Sequence, residues 1–107
     1  MTKNLDHDGL SSIANNYELF YIDLWGVIHN GISPHKEAVK VLNELELNGK
    51  DYVLLTNAPR PSKTVRVFLK NMNLEENIRK HVFSSGEAAL NYLKNNLSSQ
   101  TFYHIGP

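Results

Sequence analysis

Cysteine is absent from this sequence of 107 residues, so neither a disulfide nor a thiolate metal site can form. The 11 basic side chains balance 11 acidic ones, and no net field favours nucleic acid or an anionic membrane as a partner. The longest apolar run is far too short to cross a bilayer, and residues 1–16 carry no signal-peptide pattern. These absences lead us to expect a cytoplasmic protein that binds neither nucleic acid nor membrane.

The length and the ordinary apolar content leave room for one compact domain with one core. We divide the chain into a polar tail with a short helix, residues 1–16, and a folded core, residues 17–100. Within the tail, residues 1–8 are expected to be mobile, and Asp8 is placed to cap a helix over residues 9–15.

The stretch from Leu19 to Val27 organises the core. Four apolar residues lead directly into Asp23, and this run predicts a strand over residues 19–24 that is buried on both faces of a parallel sheet. Asp23 then lies at the carboxyl end of the strand, where open α/β sheets bind ligands, and Gly26 permits a tight turn. Alternatively, Asp23 simply caps the element that follows.

An Asn30-Gly31 pair between apolar residues follows this strand and predicts a hairpin, the flap, at its end. His29 comes directly before the turn. We interpret it as a surface histidine, and a direct role at the site is the less favoured alternative.

Segments with helical spacing alternate with short apolar runs through the rest of the chain. Helices are predicted to start at Ser33-Pro34, Ser62 and Ser85, and strands are predicted over Tyr52–Leu55, His81–Ser84 and Thr101–Ile105. This alternation indicates an α/β fold, a Rossmann-like parallel sheet with flanking helices and right-handed crossovers.

Polar side chains of complementary chemistry follow the first two strands. Asp23 offers a carboxylate, whereas Thr56 and Asn57 offer a hydroxyl and an amide, and the three converge if the strands are neighbours. A carboxylate can attack a phosphoryl group where Mg²⁺ and hydrogen-bond donors neutralise the charge. The Thr56 hydroxyl and the backbone N–H groups of residues 24–26 are candidate donors, although a Thr-Asn pair also commonly caps a helix.

Three segments of the chain, residues 20–31, 53–60 and 82–87, together resemble the haloacid dehalogenase (HAD) superfamily, and within it the class IIA branch of sugar- and nucleotide-phosphatase-like proteins. The resemblance extends over residues 17–105. It implies a HAD core that hydrolyses phosphoric esters, with Asp23 as the nucleophile and a Mg²⁺ ligand. The backbone carbonyl of Trp25 would be a second metal ligand.

The same resemblance implies a small phosphorylated metabolite as the substrate. Thr56 would bind its phosphoryl group, and Asn57 and the backbone at Gly26 would lie beside it. Arg60 is a further candidate for a phosphate contact, with a solvated loop arginine as the favoured alternative.

Two departures from the family pattern bear on activity. The family usually carries a second aspartate, a general acid and base, two residues after the nucleophile. Here Trp25 holds that position, and indole cannot transfer a proton at neutral pH. Family members are also longer, because a cap domain follows the third strand and later segments complete the Mg²⁺ site. By resemblance, residues 101–107 start that cap, and Glu87 is a less favoured metal contact.

We therefore interpret the chain as an N-terminal part of a HAD-type phosphatase, weak or inactive by itself. The alternative is a non-catalytic module that binds phosphate or a protein. A phospho-acceptor receiver domain fits less well, because its acceptor lies on an interior strand rather than the first. The strand over residues 19–24 is expected to keep an unpaired edge and to join copies into a homo-oligomer.

Overall fold

A computed structural model of the protein describes residues 4–106. The helices are α1 (Leu5–Asp8), α2 (Lys36–Leu47), α3 (Ser62–Asn71), α4 (Glu76–Arg79) and α5 (Ser85–Asn96), and the strands are β1 (Leu19–Asp23), β2 (Asp51–Thr56) and β3 (Val82–Ser84). Two 3₁₀ turns, Leu10–Ser12 and Ala14–Asn16, precede β1. None of the helices described is long and apolar enough to cross a membrane.

The three strands form one parallel sheet in the order β1-β2-β3. In the β1–β2 ladder, Asp23 stands opposite Leu55, the residue before Thr56. In the β2–β3 ladder, Thr56 stands opposite Ser84. The predicted parallel α/β sheet with flanking helices is therefore confirmed, and the carboxyl ends of all three strands lie at one edge.

One face of the sheet carries the core. The buried apolar residues of the strands are Tyr52, Leu54 and Val82, and they join a single apolar cluster with residues of α2 and α3, namely Leu42, Leu45, Val65 and Leu69. Each large aliphatic side chain in such a cluster contributes about 1.5–3 kcal/mol by leaving water. Burial of alternate residues along β2 thus fixes which face meets the helices.

The opposite face of the sheet is exposed. Leu19 and Tyr21 of β1 are 47% and 69% exposed, and Leu55 and Phe83 are 38% and 39% exposed. The prediction that the first strand is buried on both faces is therefore wrong. A strand is covered on both faces only when helices pack on both, and within residues 4–106 this second face stays open.

The segment after β1 turns back at Asn30-Gly31, but it does not form paired strands. A single antiparallel bridge joins His29 to Pro34, and the Asn30 side-chain oxygen accepts the N–H groups of Ile32 and Ser33, each at 2.9 Å. The Asn30 side chain thus closes the turn, beside two backbone bonds from Asn30 to the Ser33 carbonyl at 3.2 Å and from His35 to the Ile28 carbonyl at 2.8 Å. Helix α2 accordingly starts at Lys36, later than the predicted start at Ser33-Pro34.

The segments at the two ends of the described chain also differ from prediction. Thr101–Ile105 is not a strand, and the reason is that β-propensity alone cannot form one without a partner for the backbone. Near the start, α1 is capped by Asn4, and two 3₁₀ turns replace the helix expected over residues 9–15. The expected mobility of residues 1–3 lies outside the described residues.

A polar cluster ties the amino end of the sheet to α2. The Tyr52 hydroxyl donates to Glu46 at 3.0 Å, Asn77 donates to the other Glu46 oxygen at 3.2 Å, and the His81 ring lies 4.1 Å from that of Tyr52. The hydrogen bond from Asn77 makes the largest contribution to lowering the pKa of Glu46, and the bond from Tyr52 lowers it further. Burial raises the pKa of Tyr52. This cluster stabilises the end of the sheet that lies opposite Asp23.

The exposed face and the second edge of β1, which pairs only with β2 among residues 4–106, lead us to expect self-association. Copies would join through β1 or by exchange of the segment around Phe102–Ile105. A charge on the exposed face of β1, Tyr21→Lys, should weaken the association because it would have to be desolvated. Sedimentation velocity across a dilution series measures this directly.

The control is Leu47→Lys, which alters an apolar residue that is 81% exposed at the end of α2, away from the exposed face. It should leave the sedimentation coefficient unchanged. A wild-type chain that is monomeric at every accessible concentration would contradict the expectation.

Candidate active site

The carboxylate of Asp23 is exposed at the carboxyl end of β1. Its Oδ1 accepts the N–H of Leu24 at 2.9 Å, and its second oxygen has no hydrogen-bond partner among residues 4–106. Asp23 shares a surface depression of about 320 Å³ with Thr56 and Asn57. The structure therefore brings these three predicted site residues together, as the pairing of their strands requires.

The turn after β1 is built from backbone hydrogen bonds around Gly26. The carbonyl of Leu24 accepts the N–H groups of Ile28 at 2.8 Å and His29 at 3.2 Å, and Gly26 donates to the His29 carbonyl at 2.7 Å. Gly26 has a φ of 81°, which a residue with a Cβ rarely adopts. Its observed contribution is thus to close this turn, and its N–H is already paired there.

A larger cleft, of about 460 Å³, adjoins the depression at Thr56 and Asn57. Its walls combine apolar and aromatic side chains with a few polar ones, and they are formed by Leu24, Trp25, His29, Thr56, Asn57, Ala58, Arg60, Thr64, Val65 and Phe68. Such a mixture is typical of sites for small molecules. Arg60, a predicted phosphate contact, lies in this cleft rather than beside Asp23.

His29 is a member of the cleft that the sequence placed on the surface. The residue is only 4% exposed, and its Nδ1 accepts the N–H of Gly31 at 3.0 Å. Its ring meets Trp25 edge-on at 5.3 Å and Phe68 at 5.8 Å. A histidine four residues after a tryptophan, in a tight turn, was the signal that could have suggested this burial.

The pKa of His29 is lowered, first by burial and then by the nearby His35, and Asp23 opposes the shift. Burial disfavours the charged imidazolium because it loses its hydration. The neutral ring is therefore favoured in the cleft.

The loop after β2 is held by the corner between β3 and α5. The Ser84 hydroxyl donates to the Arg60 carbonyl at 2.5 Å, and both the Ser85 hydroxyl and the Gly86 N–H donate to the Ala58 carbonyl, at 3.0 and 3.1 Å. Residues 57–61 thus owe their position to three consecutive residues about 25 positions later in the chain.

Glu87 stabilises a helix end. Its Oε2 accepts the N–H of Ser62 at 2.9 Å, at the start of α3, where a carboxylate also complements the helix dipole. The Ser62 hydroxyl, predicted to cap that helix, instead accepts the Ser84 N–H at 3.1 Å. Glu87 therefore has a structural role at the start of α3.

The oxygens at the end of β1 suit Mg²⁺ in their chemistry. Mg²⁺ prefers oxygen ligands and commonly binds through one or two carboxylates while it keeps several waters. Asp23 supplies a carboxylate, and the Trp25 carbonyl accepts no hydrogen bond from the residues described. No group of three His, Cys, Asp or Glu residues that could hold a metal occurs between residues 4 and 106.

A family model described as a haloacid dehalogenase-like hydrolase matches residues 20–107. The chain belongs to this family. The match covers residues 20–31, 53–60 and 82–87, the three segments on which the sequence resemblance rests. No curated protein matches the chain.

Solved structures of HAD-like proteins share the fold. A haloacid dehalogenase-like hydrolase from Brucella suis is 28% identical over 81% of this chain, with a TM-score of 0.73. The 4-nitrophenylphosphatase from Thermotoga maritima is 22% identical over 79%, with a TM-score of 0.66. A possible sugar phosphatase from Cytophaga hutchinsonii is 18% identical over 80%, with a TM-score of 0.63.

This chain covers 32%, 33% and 31% of those three chains. It therefore spans about a third of the length of the HAD-like structures that it matches.

The tight corner at Gly86 gives a prediction for the loop after β2. A Cβ on Gly86 would lie 2.5 Å from the backbone nitrogen and oxygen of Arg60, so Gly86→Ala must push the loop away. We expect a loss of about 1–3 kcal/mol in the free energy of unfolding. In an ordinary helix the same change would stabilise by roughly 0.5–1 kcal/mol. Urea unfolding shows whether Gly86→Ala lowers or raises the free energy of unfolding.

The matched control is Asn91→Ala, an exposed position of the same helix, which should be neutral or slightly stabilising. If Gly86→Ala proves as stable as the control, the close approach between α5 and the loop does not govern the position of residues 57–61.

Proposed function

We propose that the protein acts on phosphate monoesters, with Asp23 as the nucleophile and a small phosphorylated metabolite as the substrate. The observation that carries the proposal is the shared depression in which the Asp23 carboxylate meets Thr56 and Asn57 at the end of two paired strands. Similarity to a Thermotoga 4-nitrophenylphosphatase and to a possible sugar phosphatase from Cytophaga supports the same reaction class.

In this mechanism an Asp23 oxygen attacks phosphorus while the bond to the ester oxygen breaks, and the leaving alkoxide takes a proton. Water then attacks the aspartyl phosphate, which releases inorganic phosphate and restores the carboxylate. The second Asp23 oxygen, unpaired among residues 4–106, is the atom available for attack.

Thr56 is arranged to bind the phosphoryl group. Its Oγ1 accepts the N–H of Ala58 at 3.3 Å, so the hydroxyl proton remains available for a phosphoryl oxygen. The amide of Asn57, which is exposed, adds a second donor beside it, and donors aimed at developing negative charge stabilise such transition states.

Asp23 and the carbonyl of Trp25 are the groups of this chain that would hold Mg²⁺. When bound, Mg²⁺ would neutralise charge on the phosphoryl oxygens. Holding the ion also orients Asp23, whose Oδ1 is already fixed by Leu24.

The weak point of the site is proton transfer. Trp25 occupies the position at which the family pattern has an acid–base carboxylate, and its indole offers only a weak N–H donor. General acid–base help is worth typically ~10²–10⁴-fold in rate. We therefore propose slow turnover by this chain.

A second candidate function is a non-catalytic module that binds phosphate or a partner protein. Trp25 favours it, because this residue is 64% exposed beside the site and stands where the family pattern has the acid–base carboxylate. Exposed tryptophans are frequent anchors in binding surfaces.

The nucleophile assignment predicts the behaviour of an aspartyl-phosphate mimic. Beryllofluoride should bind in the presence of Mg²⁺, because it bonds to a carboxylate as a phosphoryl group does. Asp23→Asn should abolish the adduct, which ¹⁹F NMR detects without any need for turnover. The control is Asp51→Asn, an exposed aspartate at the opposite end of β2, and it should keep the adduct. Equal binding by the Asp23 variant would refute the assignment.

Restoring a carboxylate should restore proton transfer. We expect Trp25→Asp to raise the hydrolysis of an aryl phosphate, by up to about 100-fold, because an acid would then face the leaving group. Trp25→Phe removes the indole without adding a carboxylate and should give no increase. If Trp25→Asp folds, as judged by circular dichroism, and shows wild-type turnover, then proton transfer does not limit the reaction.

A further inference from the structure

His29 is a buried polar side chain that the reaction above does not use. It lines the same cleft as Thr56, Asn57 and Arg60, the candidate phosphate-binding residues of the proposed function. Because only 4% of the residue is exposed, its polar atoms need partners inside the protein or in the cleft.

The tautomer of His29 follows from its hydrogen bond to the backbone. A backbone N–H can only donate, so Nδ1 must accept from Gly31 and the ring proton of the neutral imidazole lies on Nε2. Protonation of Nδ1 would place two donors face to face. The turn at Gly31 thus holds His29 in the Nε2–H form.

The Nε2–H of His29 is available to a ligand, because no described residue accepts it. No residue between 4 and 106 accepts a hydrogen bond from His29 Nε2. His29 Nε2 is not among the fully enclosed side-chain atoms that lack a hydrogen-bond partner within residues 4–106, and His29 lines the cleft, so this nitrogen is accessible from it. The donor is therefore both unused and accessible.

The neighbouring rings keep this donor in place. Trp25 meets the His29 ring at 86° and Phe68 meets it at 69°, both edge-on. Reorientation of the imidazole would break these two contacts as well as the bond to Gly31. A donor that is already oriented loses little entropy on binding a ligand.

We propose that His29 is a substrate-binding residue that donates its Nε2–H to an oxygen of the phosphorylated ligand. The inference rests on the proposed function, and it assigns His29 a hydrogen bond as a neutral donor. It does not replace the missing acid–base group, because neutral imidazole with Nδ1 engaged has no free lone pair and gives up its proton poorly.

Two substitutions separate donation by Nε2 from support of the turn by Nδ1. In His29→Gln the side-chain amide nitrogen reaches the position of Nε2, whereas in His29→Asn the amide oxygen takes the position of Nδ1 and accepts from Gly31 as in an Asx turn. Inorganic phosphate, titrated with Mg²⁺ present and followed by calorimetry, is the probe. We expect His29→Gln to bind almost as wild type, and His29→Asn to bind roughly tenfold more weakly.

Long-range ¹H–¹⁵N spectra of the wild-type protein provide an independent measurement. They should show the Nε2–H tautomer for His29, identified by its loss in His29→Gln, and its Nε2 resonance should shift when phosphate is added. An Nδ1–H tautomer, or a resonance that phosphate does not move, would overturn the proposal.

The contrary outcomes of the titration are distinct. Wild-type affinity in His29→Asn with weaker binding by His29→Gln would mean that the ring only supports the turn. Equal affinity in all three proteins, or no phosphate binding by the wild type, would also refute the role of His29. The Asp23 adduct is measured separately, so failure of the His29 proposal leaves that result intact, and an adduct on Asp23→Asn would refute the proposed function alone.

Discussion

The pairing of β1 with β2 is the constraint on which the candidate site depends. Five residue pairs fix the register, and the last of them places Asp23 opposite Leu55, one residue before Thr56. A slip of one residue would turn every side chain of β1 to the other face. The Asp23 carboxylate would then point to the core face, that of Tyr52 and Leu54, although no residue in the site had changed.

At this site Trp25 contributes packing contacts in place of an acid–base group. Where the family pattern has an acid–base carboxylate, the indole packs against His29, and its ring fills the space that a Cβ on Gly31 would occupy. The turn, the buried histidine and the glycine are therefore one packed unit. In the proposed function, such a unit orients the His29 donor toward the cleft but supplies no acid for the leaving group of a phosphate ester.

Features that depend on neighbours along the chain could be predicted from the sequence. Apolar runs located β1, β2 and β3, and the polar residues at the carboxyl ends of β1 and β2 located Asp23, Thr56 and Asn57. Contacts between distant segments could not be predicted from the sequence. Glu87 lies 25 positions from Ser62, whose N–H it accepts, and His29, in the turn after β1, packs against Phe68 of α3. For Thr101–Ile105, propensity suggested a strand, but no backbone partner is available within residues 4–106.

The exposed face of the sheet and the candidate site share a residue. Paired residues of neighbouring strands point to the same face, so Asp23 lies in the row of Leu55 and Phe83, at the end of the open face. Whatever covers that face, a second copy or further polypeptide, also removes water from around Asp23. Charges interact more strongly where water is excluded, so the electrostatic contributions of Thr56 and of a bound cation would grow. The reactivity of the carboxylate and the covering of the sheet are thus physically coupled.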